Sequence, residues 1–167
     1  NPRDGQIKAK GYQLEASEYI RPLFNLVARF RYQNLWIINK FIKRAADKYL
    51  LSREDEIFFY DKALKINPLD KRLLLSRVDT LFDLERYEEA ITSLNKAVEI
   101  NSSNEHIWYK RGYAFFNLER YEEAVNSFEK ALYINPLYEI AWYNKGNNLL
   151  YLERYEEAIN SFDNALE

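Results

Sequence analysis

The sequence predicts an all-α protein made of stacked antiparallel helix pairs, and three observations predict it. First, the string Leu84-Glu-Arg-Tyr-Glu-Glu-Ala90 recurs at Leu118–Ala124 and at Leu152–Ala158, 34 residues further on each time. Second, the surrounding positions keep that step: Trp108 and Trp142, Gly112 and Gly146, then Leu94, Phe128 and Phe162, then Ala97, Ala131 and Ala165. Third, each period holds two segments with apolar residues at helical spacing, joined by short polar links. Self-similarity at such a period marks a stacked array, because one helix pair cannot bury its own apolar face and needs a neighbour to cover it.

The expected helices cover 71–83, 87–100, 105–117, 121–134, 139–151 and 155–166. In 105–117, Trp108 and Phe115 share helical spacing with the small residues Gly112 and Ala114. In 121–133, Ala124, Val125, Phe128, Ala131 and Leu132 fall on one face. Glu122 and Glu123 lie in a first turn, where the helix dipole favours acids, and Pro136 ends the second helix. Gly112 and Ala124 are expected to let the two helices approach closely. Trp108 and Trp142 are assigned to the core, and Tyr87, Tyr121 and Tyr155 to packing between repeats. These segments divide the chain into repeats at 71–104 and 105–138 and a truncated repeat at 139–167. Upstream, 37–70 reads as a degenerate repeat, with an intact ending at Ala63-Leu-Lys-Ile-Asn-Pro68 but Arg44 at the small-residue position. Residues 1–36 read as a degenerate helical pair (4–14 and 17–32) or a divergent repeat, with one helix over 17–50 as the alternative. Asn1-Pro2 resembles the tail of a preceding repeat, and Glu167 stops short of an Ile-Asn-Pro ending, so the segment is expected to come from a longer protein. The last helix is then expected to expose Ala158, Ile159, Phe162 and Ala165, and to fray or to self-associate through that end.

Composition narrows the function. The 167 residues include no Cys, one His and four Gly. That excludes thiolate metal sites and Cys nucleophiles, and leaves no phosphate-cradling Gly-rich loop. Paired carboxylates such as Glu88-Glu89 recur at 122–123 and 156–157, as features of the repeat; a catalytic pair would be unique. No catalytic residue, cofactor or metal is expected, and the chain is read as no enzyme. The longest apolar runs, such as Leu35–Ile38, fall far short of a membrane span, and a cytoplasmic location is the default expectation. Charge is uneven: residues 1–66 hold 13 Lys/Arg and 8 Asp/Glu (+5), and residues 67–167 hold 11 and 18 (−7).

At Trp142, Gly146, Leu149, Tyr155, Ala158, Phe162 and Ala165 the pattern resembles the tetratricopeptide repeat family, over residues 71–167. Repeat 71–104 departs from it, with Leu74 for Trp, Val78 for Gly and Ser102 for Pro. Glu85, Glu119 and Glu153 stand where the turn between helices often has Gly. The resemblance implies a right-handed α-solenoid, a superhelix whose first helices line a concave face. It places His106, Tyr109, Lys110, Tyr113, Phe116 and Asn117 on that face in one repeat, and Ile140, Tyr143, Asn144, Asn147, Leu150 and Tyr151 in the next. Tyr offers apolar area with a polar tip, and Asn can donate to and accept from a peptide backbone.

The expected function is therefore a protein–protein interaction module that binds a peptide or helix of another protein, with no small-molecule substrate. The family's two-carboxylate clamp lacks its cations here, since Leu75, Asp79, Tyr109 and Tyr113 hold the matching places. Two alternatives are a regulatory or sensor array attached to an effector enzyme, and a nucleic-acid-binding helical repeat. Against nucleic acid stand the acidic remainder of the chain and the lack of a cation recurring at a fixed repeat position. A second candidate surface is the basic, aromatic stretch 19–46, with Arg21, Arg29, Arg31, Lys40, Lys43 and Arg44.

Overall fold

The computed structural model describes residues 40, 42–44 and 52–166. All regular structure among them is helical: α1 (Arg53–Ile66), α2 (Lys71–Asp83), α3 (Tyr87–Ile100), α4 (Glu105–Asn117), α5 (Tyr121–Ile134), α6 (Glu139–Tyr151) and α7 (Tyr155–Asn164). Residues 40 and 42–44 are also helical. The six helices expected from 71 onward are present; the last ends at Asn164, two residues early. The expected pairs within 1–36, and the alternative single helix over 17–50, lie outside the described residues apart from this short stretch. The chain divides into two compact units, Asn1–Leu84 and Glu85–Glu167.

In the first unit, α1 and α2 run antiparallel. Arg53, at the start of α1, pairs with Asp83, at the end of α2, at 2.9 Å, while Arg77 and Asp61 meet near the middle at 2.8 Å. Side-chain caps start both helices. The Ser52 hydroxyl accepts from the Asp55 N–H, and Asp70 accepts from the N–H groups of Arg72 and Leu73. Glu56 occupies the position held by Ala90, Ala124 and Ala158 in the later repeats, and it is buried. A buried carboxylate needs partners, and Glu56 accepts from Arg53 Nη1 at 2.6 Å and from the Thr80 hydroxyl at 3.2 Å.

In the second unit the recurring string has a structural meaning at each place. Leu118 and Leu152 are the C-caps of α4 and α6. Glu85, Glu119 and Glu153 take left-handed backbone, with φ of 57°, 58° and 58°. Arg86, Arg120 and Arg154 are N-caps with no side-chain cap. Their guanidinium groups instead reach the glutamate three residues on, with Nε–O distances of 2.6, 2.9 and 2.7 Å. Ala90, Ala124 and Ala158 are fully buried. The loops between repeats are built by asparagine: Asn101 and Asn135 each accept, through Oδ1, from the backbone N–H two residues on.

The packing specifies one expectation and corrects two. Gly112 makes room for the Phe128 ring of α5, since an added Cβ would lie 2.7 Å from Cε1, and Gly146 does the same for Phe162 of α7 at 2.6 Å, so the close approach at these glycines is that of a phenylalanine ring. Trp108 and Trp142 are half-buried, and each donates its indole N–H to a loop carbonyl six residues back, on Ser102 and Pro136, at 2.8 Å. They tie down the loop before their helix and are not core residues. Ala158 is buried against Val125 and Leu149, so of the expected exposed face it is Ile159 that stands out, 59% exposed.

Candidate functional site

The first helices of the two later repeats, α4 and α6, lie side by side in parallel register. Tyr109 meets Asn144, whose Nδ2 donates to the phenol oxygen at 3.4 Å, and one helix end further on Phe116 meets Tyr151, with ring centroids 5.9 Å apart. Cations at one repeat position tie each of these helices to the second helix before it. Arg111 Nε donates to Asn95 Oδ1 on the preceding second helix at 2.9 Å, and Lys145 pairs with Glu129 at 2.9 Å. These staples recur with an offset of 16 residues, as does Arg77–Asp61 in the first unit, and they correct the expectation that no cation recurs at a fixed repeat position: Arg77, Arg111 and Lys145 do, held in pairs with a neighbouring helix.

Two clusters of side chains result. At the N-terminal end of α4, Tyr109 is half-buried among Tyr113, Phe128 and Tyr138, with centroids at 6.5, 5.8 and 5.3 Å. His106 shares a hydrogen bond between Nδ1 and the Tyr138 hydroxyl at 3.0 Å, and its ring stands edge-on to that tyrosine. Burial pushes the Tyr109 phenol above its ordinary value, with Tyr113 adding to the shift and the Asn144 bond opposing it. Tyr138 is raised too, again mainly by burial. This end of the face is a packed junction between repeats.

At the C-terminal ends of α4 and α6 the face opens. Phe116, Asn147, Leu150 and Tyr151 line a cleft of about 460 Å³. Tyr151 stacks on Tyr121, with centroids 4.6 Å apart and planes 5° from parallel, and Phe116 leans on both rings. Leu150 is 44% and Tyr151 59% exposed. Asn117, Asn144 and Asn148 each donate Nδ2 to the carbonyl four residues back. Asn147 lines the cleft, and its side-chain amide makes no such bond among the described residues.

Of the expected groove residues, the structure thus joins His106, Tyr109 and Asn144 in one cluster and Phe116, Asn147 and Tyr151 in the other. Tyr113 lies between them, 6.5 Å from both Tyr109 and Phe116. Lys110 and Asn117 are half-buried on α4. Tyr143 repeats the place of Tyr109 and packs on Phe162 at 5.9 Å. Tyr138 and Tyr121 were not expected on this face; Tyr121 makes the expected contact between repeats and also backs the cleft. Of the basic stretch, Lys40, Lys43 and Arg44 are exposed, and Arg21, Arg29 and Arg31 lie outside the described residues. Among the described residues no cluster of acids and His could hold a metal ion, and no helix is long and apolar enough to cross a membrane.

Family models described as TPR repeat and tetratricopeptide repeat match residues 79–119, 107–138 and 140–167, together more than half of the chain. The chain belongs to the tetratricopeptide repeat family. No curated protein matches this tetratricopeptide repeat chain. Among solved structures, MamA 41-end from Desulfovibrio magneticus RS-1 is alike in fold, with a TM-score of 0.72 at 17% identity over 95% of this chain and 93% of that one. A crystal structure of MamA aligns with a TM-score of 0.66 at 25% identity, over 68% of this chain and 67% of that one. YrrB, described as a TPR protein with an unusual peptide-binding site, aligns with a TM-score of 0.63 at 25% identity, over 68% of this chain and 59% of that one. Family and neighbours together make this tetratricopeptide repeat chain a protein-interaction scaffold.

Proposed function

We propose that the face shared by α4 and α6 receives a peptide segment of another protein, and that the cleft at Phe116, Asn147, Leu150 and Tyr151 is its anchor. The observation that carries this reading is the coincidence, in one cleft, of exposed apolar area and the Asn147 side-chain amide. Interface energy concentrates in a few aromatic anchors within pockets, and an amide beside them can pair with a peptide backbone. No strand edge is present among the described residues, so recognition by adding a strand is not open to this unit. The structural neighbour YrrB, with its unusual peptide-binding site, supports the same class of partner.

Selection of displayed random peptides against the whole chain tests the proposal. Selected peptides should lose about tenfold or more in affinity on Tyr151→Ala or Leu150→Ala, with helical signal retained and a cooperative melt that moves by no more than the lost stacking. Peptides indifferent to both changes, but weakened by Lys43→Ala or Arg44→Ala, would move the site to the basic surface.

A further inference from the structure

We infer that the cleft between α4 and α6 is built for a basic partner, an extended segment that lays an arginine side chain on the exposed face of Tyr151. The inference rests on the peptide-binding reading above and adds the chemistry of the ligand. Four features of the second unit carry it.

Two of the four residues that line the cleft, Phe116 and Tyr151, are aromatic, and both rings contact Tyr121. Ring faces attract cations, and a planar guanidinium stacks on them. The same pairing already occurs within the unit, where Arg111 lies over Phe115 at 4.7 Å and Arg120 over that ring at 4.6 Å.

The cleft also lies at the C-terminal ends of both helices, where the helix dipole is negative, and neither helix has a basic residue in its last turn to offset it.

A glutamate stands in the turn that follows each of the two helices. The Glu119 N–H donates to the Phe116 carbonyl at 2.9 Å, and the Glu153 N–H donates to the Leu150 carbonyl at 3.0 Å, so each glutamate is fastened to a residue of the cleft wall. Both side chains are exposed, and neither has an ion-pair partner among the described residues. Each also holds left-handed backbone, a conformation that costs a residue with a Cβ roughly 1–2 kcal/mol. Glycine would meet the turn's demand without that strain, so the carboxylate at these positions is not explained by the fold.

Finally, residues 85–167 hold 8 Lys/Arg against 15 Asp/Glu, a net of −7. A field of this sign draws in a cationic partner and repels an acidic one. The cleft's own lining is uncharged, so the ligand's charge is met by the turn glutamates and its aliphatic stem on Leu150 and Phe116.

The test uses two synthetic nonapeptides of Gly and Ser, one with three arginines and the other with citrulline, a neutral near-isostere, in their place. Binding to the whole chain is followed by isothermal titration and by chemical shifts at Leu150 and Tyr151. The arginine peptide should bind about tenfold more tightly than the citrulline peptide. Glu119→Gln combined with Glu153→Gln should erase most of that difference and flatten the salt dependence, with melting unchanged. Tyr151→Leu should weaken the arginine peptide by a similar factor. Equal binding of the two peptides, with both weakened by Tyr151→Leu, would overturn the cationic ligand and leave the peptide cleft standing. Indifference of both peptides to Tyr151→Leu would remove the cleft itself. Self-association that competes with the arginine peptide and vanishes in the glutamine double variant would assign the cleft to a second copy of this chain, which also overturns the proposal.

Discussion

Gly112→Ala and Gly146→Ala are the same substitution at equivalent places in successive repeats, and they should not cost the same. At Gly112 the new Cβ would lie 2.7 Å from Phe128 Cε1 and 2.9 Å from Cδ1 and Cζ; at Gly146 the distances to the Phe162 ring are 2.6 to 2.8 Å. Carbon atoms are at ease near 3.5–4.0 Å, so each ring must retreat by close to ~1 Å. Phe128 is fully buried and flanked by Tyr109, and it has nowhere to retreat. Overpacking of that kind costs about 1–3 kcal/mol. Alanine returns about 0.8–1 kcal/mol of helix propensity, which leaves a net loss of roughly 0–2 kcal/mol at this site. Phe162 is only half-buried on α7, so its ring can swing outward, and the propensity gain makes Gly146→Ala neutral or slightly stabilising. The propensity gain is common to both, so urea melts of the two variants should differ by the overpacking cost, about 1–3 kcal/mol. A double-mutant cycle supplies a second arm. Gly112→Ala should cost less in a Phe128→Leu background than alone, because the smaller side chain leaves room for the methyl group. Equal shifts at the two glycines, or no coupling in the cycle, would refute the assignment of these contacts.

Tyr109→Ala should lower stability by about 1–3 kcal/mol, since it removes a half-buried ring from the junction with Tyr138 and Phe128. Tyr151→Ala should cost about 0.5–1.5 kcal/mol, the stacking contribution alone, and thermal melts of the pair measure the difference. Ala124→Leu should cost about 1–3 kcal/mol or more at a fully buried position. Glu122→Ala, which breaks only an exposed pair with Arg154 at 3.3 Å, should cost under ~0.5 kcal/mol. Acid should weaken the second unit through Glu123 and Glu157, whose hydrogen bonds from Arg120 and Arg154 hold their carboxyls below the ordinary 4.5. A depressed folded-state pKa gives stability present above 4.5 and lost as pH falls through the lower, folded value, so Arg120→Gln with Arg154→Gln should flatten the acid limb of a pH–stability curve. Glu119→Gly should stabilise by about 0.5–1 kcal/mol, because it relieves left-handed strain at the cost of some glycine entropy.

Most of the helix boundaries were legible because one chemical cue marks each: an Asn-Pro or Asn-Ser loop, a pair of glutamates in a first turn, a Leu-Glu-Arg turn. Side-chain partners were less so. Trp108 has the same helical spacing as a core residue, and its bond to the Ser102 carbonyl leaves no periodic signature. The Gly112–Phe128 contact was open to inference, since residue pairs 16 apart vary together in size: Val78 with Leu94, Gly112 with Phe128, Gly146 with Phe162. The staples from Arg77, Arg111 and Lys145 share that offset and were equally visible. The face of α4 and α6 was read from a family register, which grouped residues by helix position. That register could not distinguish the packed end, where Tyr109 meets Tyr138, from the open end, because the distinction arises from Tyr138 in a loop and Tyr121 on a second helix. Glu56 was missed because its repeat carries few other matches, and a buried carboxylate at an alanine position becomes sensible only once Arg53 and Thr80 are seen beside it.

The glutamates at the turns join the stability of the repeat to its surface chemistry. A turn that reverses the chain between two tightly packed helices needs one residue in left-handed backbone, and any side chain there raises the energy of the folded state. The surrounding bonds make that tolerable: the Glu119 N–H is held by Phe116, the Arg120 N–H by the Phe115 carbonyl at 3.0 Å, and the Arg120 guanidinium by Glu123. The turn is thus over-determined by its neighbours, and the residue at its apex can be chosen for what it presents to solvent. What it presents is an exposed carboxylate, three residues after Phe116 of the cleft lining and at the negative end of a helix. The change that most relieves the fold, Glu119→Gly, is therefore the change that most weakens the proposed attraction for a basic partner. Stability and recognition pull in opposite directions at one residue, so measuring both on that single variant separates a glutamate retained for binding from one that is merely tolerated.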